Sequence, residues 1–149
     1  IVENMEMMQG QSTSNACSIA QAAAVAALSE SQDCVQEMRH AFMERRSLVH
    51  RMLKAIPGVK TSLPHGAFYI FPDVSEVYAM PKFQAICKEK NESSKSKIFC
   101  AHMLDHYDVA AVPGVAFGDD RGIRISYALD ELSLRKGLER LGNMIEDLR

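Results

Sequence analysis

The sequence predicts an α+β fold, with helices at both ends of the chain and a small, mainly antiparallel sheet between them that the helices cover. Three observations predict it. Apolar residues recur at helical spacing in the stretches that close near Ile56 and Leu148. Between those stretches lie short runs of aromatic and branched residues bounded by glycine and proline. Finally, 149 residues at 47% hydrophobic content are enough to enclose a core.

The chain opens on Ile1-Val2-Glu3-Asn4-Met5-Glu6-Met7-Met8, which reads as starting inside a helix. Ser18 and Gln21 have the spacing of a capping box, so an alanine-rich helix is expected from Ile19 through Leu28. From about Asp33 a longer helix carries one apolar stripe of Val35, Met38, Phe42, Val49, Met52, Leu53 and Ile56, and Pro57-Gly58 stops it. Residues 66–72 read as a strand in which Phe68 and Ile70 are expected core residues, with Pro72 ending it or leaving it at an edge.

A short helix is expected over residues 81–87, and residues 88–97 read as an exposed polar loop. Residues 98–107 are helical in pattern, residues 109–112 form a short strand, and a glycine-rich turn leads to a strand over residues 122–128. The last helix is punctuated most clearly. Asp130 is its N-cap, Glu131 lies in its first turn, Leu129 is placed to staple against Leu134, and Leu134, Leu138, Leu141, Ile145 and Leu148 form its core face.

Composition narrows the function. With 17 basic and 19 acidic residues interspersed and a formal charge of −2, no basic stripe suggests nucleic acid. No apolar run approaches the roughly 18 residues of a membrane span, and no signal-peptide pattern opens the chain. Cys17, Cys34, Cys87 and Cys100 form no CxxC pair, which suits free thiols in a reducing compartment, so a cytoplasmic protein is expected, without excluding an organelle. His102 and His106 lie four apart on a helix, but no third metal ligand is evident and they read as surface histidines; no metal site is expected.

The strand Ile123-Arg124-Ile125-Ser126-Tyr127 places Arg124 and Ser126 on the face opposite the two isoleucines. A guanidinium fixed on a strand suits a carboxylate, since its planar fork makes two parallel hydrogen bonds that lysine cannot copy. The same pattern also fits an arginine on the wet face of a half-buried sheet.

The run from Pro113 through Gly118 and on through Arg124 to Leu132 resembles the C-terminal signature of the aspartate-type aminotransferases, class I and II enzymes of fold type I that use pyridoxal 5'-phosphate. Two further stretches are similar to that family, in the expected order: Gln11-Ser12-Thr13-Ser14-Asn15-Ala16-Cys17-Ser18-Ile19-Ala20-Gln21 and Pro64-His65-Gly66-Ala67-Phe68-Tyr69-Ile70-Phe71. The resemblance implies that residues 1–30 end a large cofactor-binding domain and residues 31–149 form the C-terminal small domain. It implies a full enzyme that moves an amino group between aspartate, or a related amino acid, and a 2-oxo acid such as 2-oxoglutarate. Arg124 falls on the family's arginine for the substrate α-carboxylate. Thr13, Ser14 and Asn15 fall on a loop at the dimer interface near the neighbouring site, where they equally suit a helix-capping cluster. A homodimer or other self-association is expected.

The family's Schiff-base lysine is absent. Ser93-Ser94-Lys95-Ser96-Lys97 matches only the first half of its motif, and Ile98-Phe99-Cys100-Ala101 supplies neither the arginine nor the glycine that should follow. No catalytic residue is therefore expected in this chain, which alone should neither bind the cofactor nor transaminate. Two alternatives stay open: another fold type I enzyme of the same cofactor, such as a C–S lyase or a cyclopropane-forming synthase, and a stand-alone α+β amino-acid-binding module.

Overall fold

The computed structural model describes residues 1–12 and 15–149, and the chain divides into two compact units, Ile1–Glu37 and Met38–Arg149. In the first unit, α1 spans Val2–Ser12 and α2 spans Ser18–Ser29, and neither helix buries a residue. Val2, Met5, Met7, Met8, Ile19, Val25 and Leu28 are all exposed. The capping box is not formed. Cys17 occupies the N-cap and makes no side-chain cap bond, which moves Gln21 one position too far along, and its amide instead donates to the Ala16 carbonyl at 2.7 Å.

The helix α3, Asp33–Ala55, runs through the unit boundary. Within the second unit, Val49 and Leu53 are fully buried, while Phe42, Met52 and Ile56 pack against the core and Met38 stays exposed. Gly58, in the left-handed region at φ 87°, terminates the helix as the Pro-Gly pair predicts.

Three strands make the sheet in the order β1 (Tyr69–Ile70), β3 (Ile123–Ser126) and β2 (Val112–Pro113), with both pairings antiparallel. Tyr69 faces Ser126 and Ile70 faces Ile125, while Val112 faces Arg124 and Pro113 faces Ile123. The inner face carries Ile70 and Ile123, both buried, and Ile125 against the core. The helices α4 (Pro81–Glu89), α5 (Lys95–Tyr107) and α6 (Glu131–Asp147) complete the unit. Tyr78, Phe83 and Phe99 form an aromatic trio with centroids 5.2–5.9 Å apart. On α6 all five predicted core positions are buried, joined by Met144, and the Asp130 carboxylate caps the helix by accepting from the Ser133 amide at 2.9 Å.

Three local expectations are corrected. Phe68 is 53% exposed, because Ala67 adopts a left-handed φ of 64° and the alternation of β1 does not extend back through it. Val109 donates to the Met103 carbonyl in closing α5 and so leaves the strand expected over residues 109–112 reduced to its last residue and Pro113. Glu89 ends α4 and residues 95–97 are the first turn of α5, so the loop expected over residues 88–97 is shorter. Ser94 caps α5 by accepting from the Lys97 amide, and Asp120 from a distant turn accepts from the amides of Lys95 and Ser96 at 2.9 and 3.1 Å.

Candidate functional site

Arg124 leaves the centre of β3 on the face opposite Ile123 and Ile125, as the alternation predicts. Its guanidinium carbon lies 4.7 Å from the centre of the Phe117 ring and 5.3 Å from that of Tyr69. Tyr69 faces Ser126 across the β1–β3 pair and therefore shares Arg124's face one diagonal step away. Among the described residues, no carboxylate pairs with Arg124 and no hydrogen bond involves its side chain. The arrangement holds a half-buried cation over two aromatic rings and leaves its N–H donors without a partner among the described residues.

The turn that carries Phe117 is a 3-10 turn, Gly114–Phe117, built against the strand by close backbone approach. A Cβ on Gly114 would collide with the carbonyl oxygens of Asp119 and Gly122, and one on Gly122 would collide with the Phe71 ring. Phe71 in turn meets Phe117 edge to face, 6.2 Å between centroids. The ring that supports Arg124 is thus set by contacts reaching back to residues that carry no side chain.

Asp120 ties the same turn to α5. Its carboxylate accepts from the hydroxyls of Ser94 and Ser96 at 2.5 and 2.6 Å besides the two amides, and the Val115 amide donates to the Ser96 hydroxyl at 3.2 Å. Desolvation opposes its charge, but the donors from Ser94, Ser96 and Lys95 outweigh that and hold its pKa below the ordinary aspartate value. Nothing local in the sequence marks Asp120 out from its neighbour Asp119, which pairs instead with Arg121 at 2.7 Å on the surface. Phe117 and Tyr69 escaped the sequence reading for a similar reason, since a ring beside an arginine is visible only once β1 and β3 are paired.

The other candidates stand apart. Thr13 and Ser14 lie outside the described residues, and Asn15 is exposed. His102 and His106 have ring centroids 4.5 Å apart, and burial, the neighbouring His106 and Lys90 together lower the pKa of His102. At the partial lysine motif, the Lys97 ammonium pairs with Glu92 at 3.2 Å and the Ser94 and Ser96 hydroxyls turn to Asp120. Those two hydroxyls are thereby committed to a carboxylate.

A family model for aminotransferase class I and II matches residues 1–141. The chain is 38% identical over 145 residues to the aspartate/prephenate aminotransferase of Nitrosomonas europaea, covering 97% of this chain and 36% of that protein. It is 39% identical over 146 residues to the aspartate aminotransferase of Geobacillus stearothermophilus, covering 98% and 35%. The crystal structure of the aspartate aminotransferase from Rhizobium meliloti superposes with a TM-score of 0.81 at 38% identity, covering 97% of this chain and 35% of that one. The chain therefore spans about a third of the length of the relatives it matches.

Proposed function

This chain belongs to the class I and II aminotransferase family, and on that premise we propose that it serves an aspartate-type aminotransferase as the part that grips the substrate carboxylate. Residues 31–149 are the small domain in this reading, and residues 1–30 end the large one. The whole protein exchanges an amino group between aspartate, or a relative of it, and a 2-oxo acid such as 2-oxoglutarate. Pyridoxal 5'-phosphate supplies the carbanion chemistry when bound.

The observation that carries this reading is the unpartnered edge of Arg124. A carboxylate approaching its free N–H donors gains two parallel charge-assisted hydrogen bonds while the rings of Phe117 and Tyr69 hold the cation in place. Both the amino acid and the oxo acid carry such a carboxylate, so one residue orients both half-reactions. The exposed apolar residues of α1 and α2 support self-association or cover by further chain, as in a homodimer. Four free cysteines support a reducing compartment such as the cytoplasm, and no helix among the described residues is long and apolar enough to cross a membrane.

The test is kinetic. In the whole protein, Arg124→Lys is expected to lower kcat/KM for amino acid and oxo acid alike by about 100-fold, some 2.7 kcal/mol. Unchanged kcat/KM for either substrate would remove Arg124 from the site. The 149-residue chain is expected to show no turnover above that of the free cofactor, and mixed with the cofactor alone it is expected to show no absorbance band beyond those of the free cofactor. A band that vanishes in Lys95→Ala would overturn the reading of that lysine.

A further inference from the structure

We infer that a cleft between α3 and the loop Pro64–Ala67 is a second ligand site, which takes a small organic carboxylate with an apolar or aromatic body. The cleft has a volume of about 430 Å³ and lies within the second unit. That size falls in the range of small-molecule sites.

Its chemistry comes from one helical stripe and one loop. Arg39, Phe42 and Arg46 stand at i, i+3 and i+7 on α3 and so project from one face. His65 and Ala67 form the opposite wall, and the Tyr127 ring meets that of Phe42 at 6.2 Å and 57° to make an aromatic floor. The wall is tied in place twice: Arg46 Nη1 donates to the Pro64 carbonyl at 3.1 Å, and the Tyr127 hydroxyl donates to the Ala67 carbonyl at 3.0 Å. The loop is therefore held to both α3 and β3's C-terminal end by hydrogen bonds that a ligand need not create.

Three observations select the ligand. No acidic side chain lines the cleft, although two guanidinium groups and an imidazole do. Among the described residues, no carboxylate pairs with Arg39 or Arg46. Arg46 spends Nη1 on the Pro64 carbonyl, and its Nη2 has no hydrogen-bond partner among the described residues and is not shut off from the surface as Nε is. A carboxylate supplies acceptors to the guanidinium groups that lack an ionic partner, and its hydrocarbon body covers the half-buried Phe42 ring, which a bare inorganic anion would leave wet. Arg124 does not line this cleft, so the site is separate from the one proposed above.

Hydrocinnamate is the probe, titrated into the 149-residue chain at low salt and followed by calorimetry and by amide chemical shifts. Saturable binding is expected, with shifts at Gly66, Ala67 and Tyr127. Arg39→Gln, at an exposed position with no structural hydrogen bond to lose among the described residues, is expected to weaken it about 5- to 10-fold, and added salt is expected to weaken it further. Hydrocinnamyl alcohol, with the same body and no charge, and inorganic phosphate, with charge and no body, should each bind at least about 10-fold more weakly. Absence of saturable binding up to about 10 mM overturns the inference, as does equal binding of the alcohol or of phosphate. Binding that survives Arg39→Gln but is lost in Arg124→Gln also overturns it, while supporting the carboxylate role of Arg124.

Discussion

The Arg124 guanidinium carbon stands 4.7 Å from the centre of the Phe117 ring, so the cation that gives this face its character is held by a turn rather than by a counter-ion. A double-mutant cycle of Phe117→Ala and Arg124→Ala, read from denaturant unfolding, is expected to give a coupling of about 0.5–1 kcal/mol. A coupling indistinguishable from zero would mean that the ring does not hold the guanidinium.

Two glycines should respond oppositely to the same methyl group. Gly114→Ala forces the turn off two backbone carbonyls and is expected to cost at least about 2 kcal/mol, whereas Gly137, which has open space around it in the middle of α6, should gain about 0.5–1 kcal/mol as alanine. Thermal midpoints of the two variants check the pair. Equal shifts would contradict the close approach at Gly114.

Asp120 predicts an acid-sensitive joint. Its pKa is depressed in the folded chain, so its stabilisation is fully present above the unfolded value of roughly 3.9 and is lost as pH falls through the folded value. Asp120→Asn should therefore cost about 2 kcal/mol near neutral pH, and the gap between variant and parent should close in acid. A gap that stays constant from about pH 7 to about 2.5 would assign the effect to packing rather than to charge.

The cysteines should separate by reactivity. Cys17 and Cys34 are exposed, while burial pushes the Cys100 thiol up to about 12 and leaves almost no thiolate to react. Alkylation followed by mass spectrometry is expected to label the first two rapidly and Cys100 only on unfolding. Early labelling of Cys100 would show that α5 opens locally.

The helices were legible wherever their signals are local. The Pro57-Gly58 stop, the Asp130 cap and the apolar face of α6 each depend on residues within a turn or two of one another, and the structure has them as read. The failures share a cause as well. The start of α5 is capped from residue 120, the fate of Phe68 turns on the left-handed Ala67, and the Ser18 box missed by one position because Cys17 took the cap. Arg124's face followed from period-two alternation alone, but its aromatic cradle depends on strand pairing and on a turn folded back over the sheet. Asp120 lay beyond sequence reasoning because a carboxylate in a DD pair looks the same whether it meets water or four donors.

The position of β3 bears on how this unit comes together in time. The two outer strands never touch one another; each pairs only with β3, whose residues are among the last to leave the ribosome within this stretch of chain. Until Ile123–Ser126 arrive, β1 waits across more than fifty residues of loop and helix with both its edges open, and the sheet has no half-built form to rest in. Helices α3 and α4 can form early from local signals, but the first turn of α5 takes two of its acceptors from Asp120, just ahead of β3, and the core is complete only when α6 follows. A chain cut before residue 123 would lose the whole sheet rather than one strand of it.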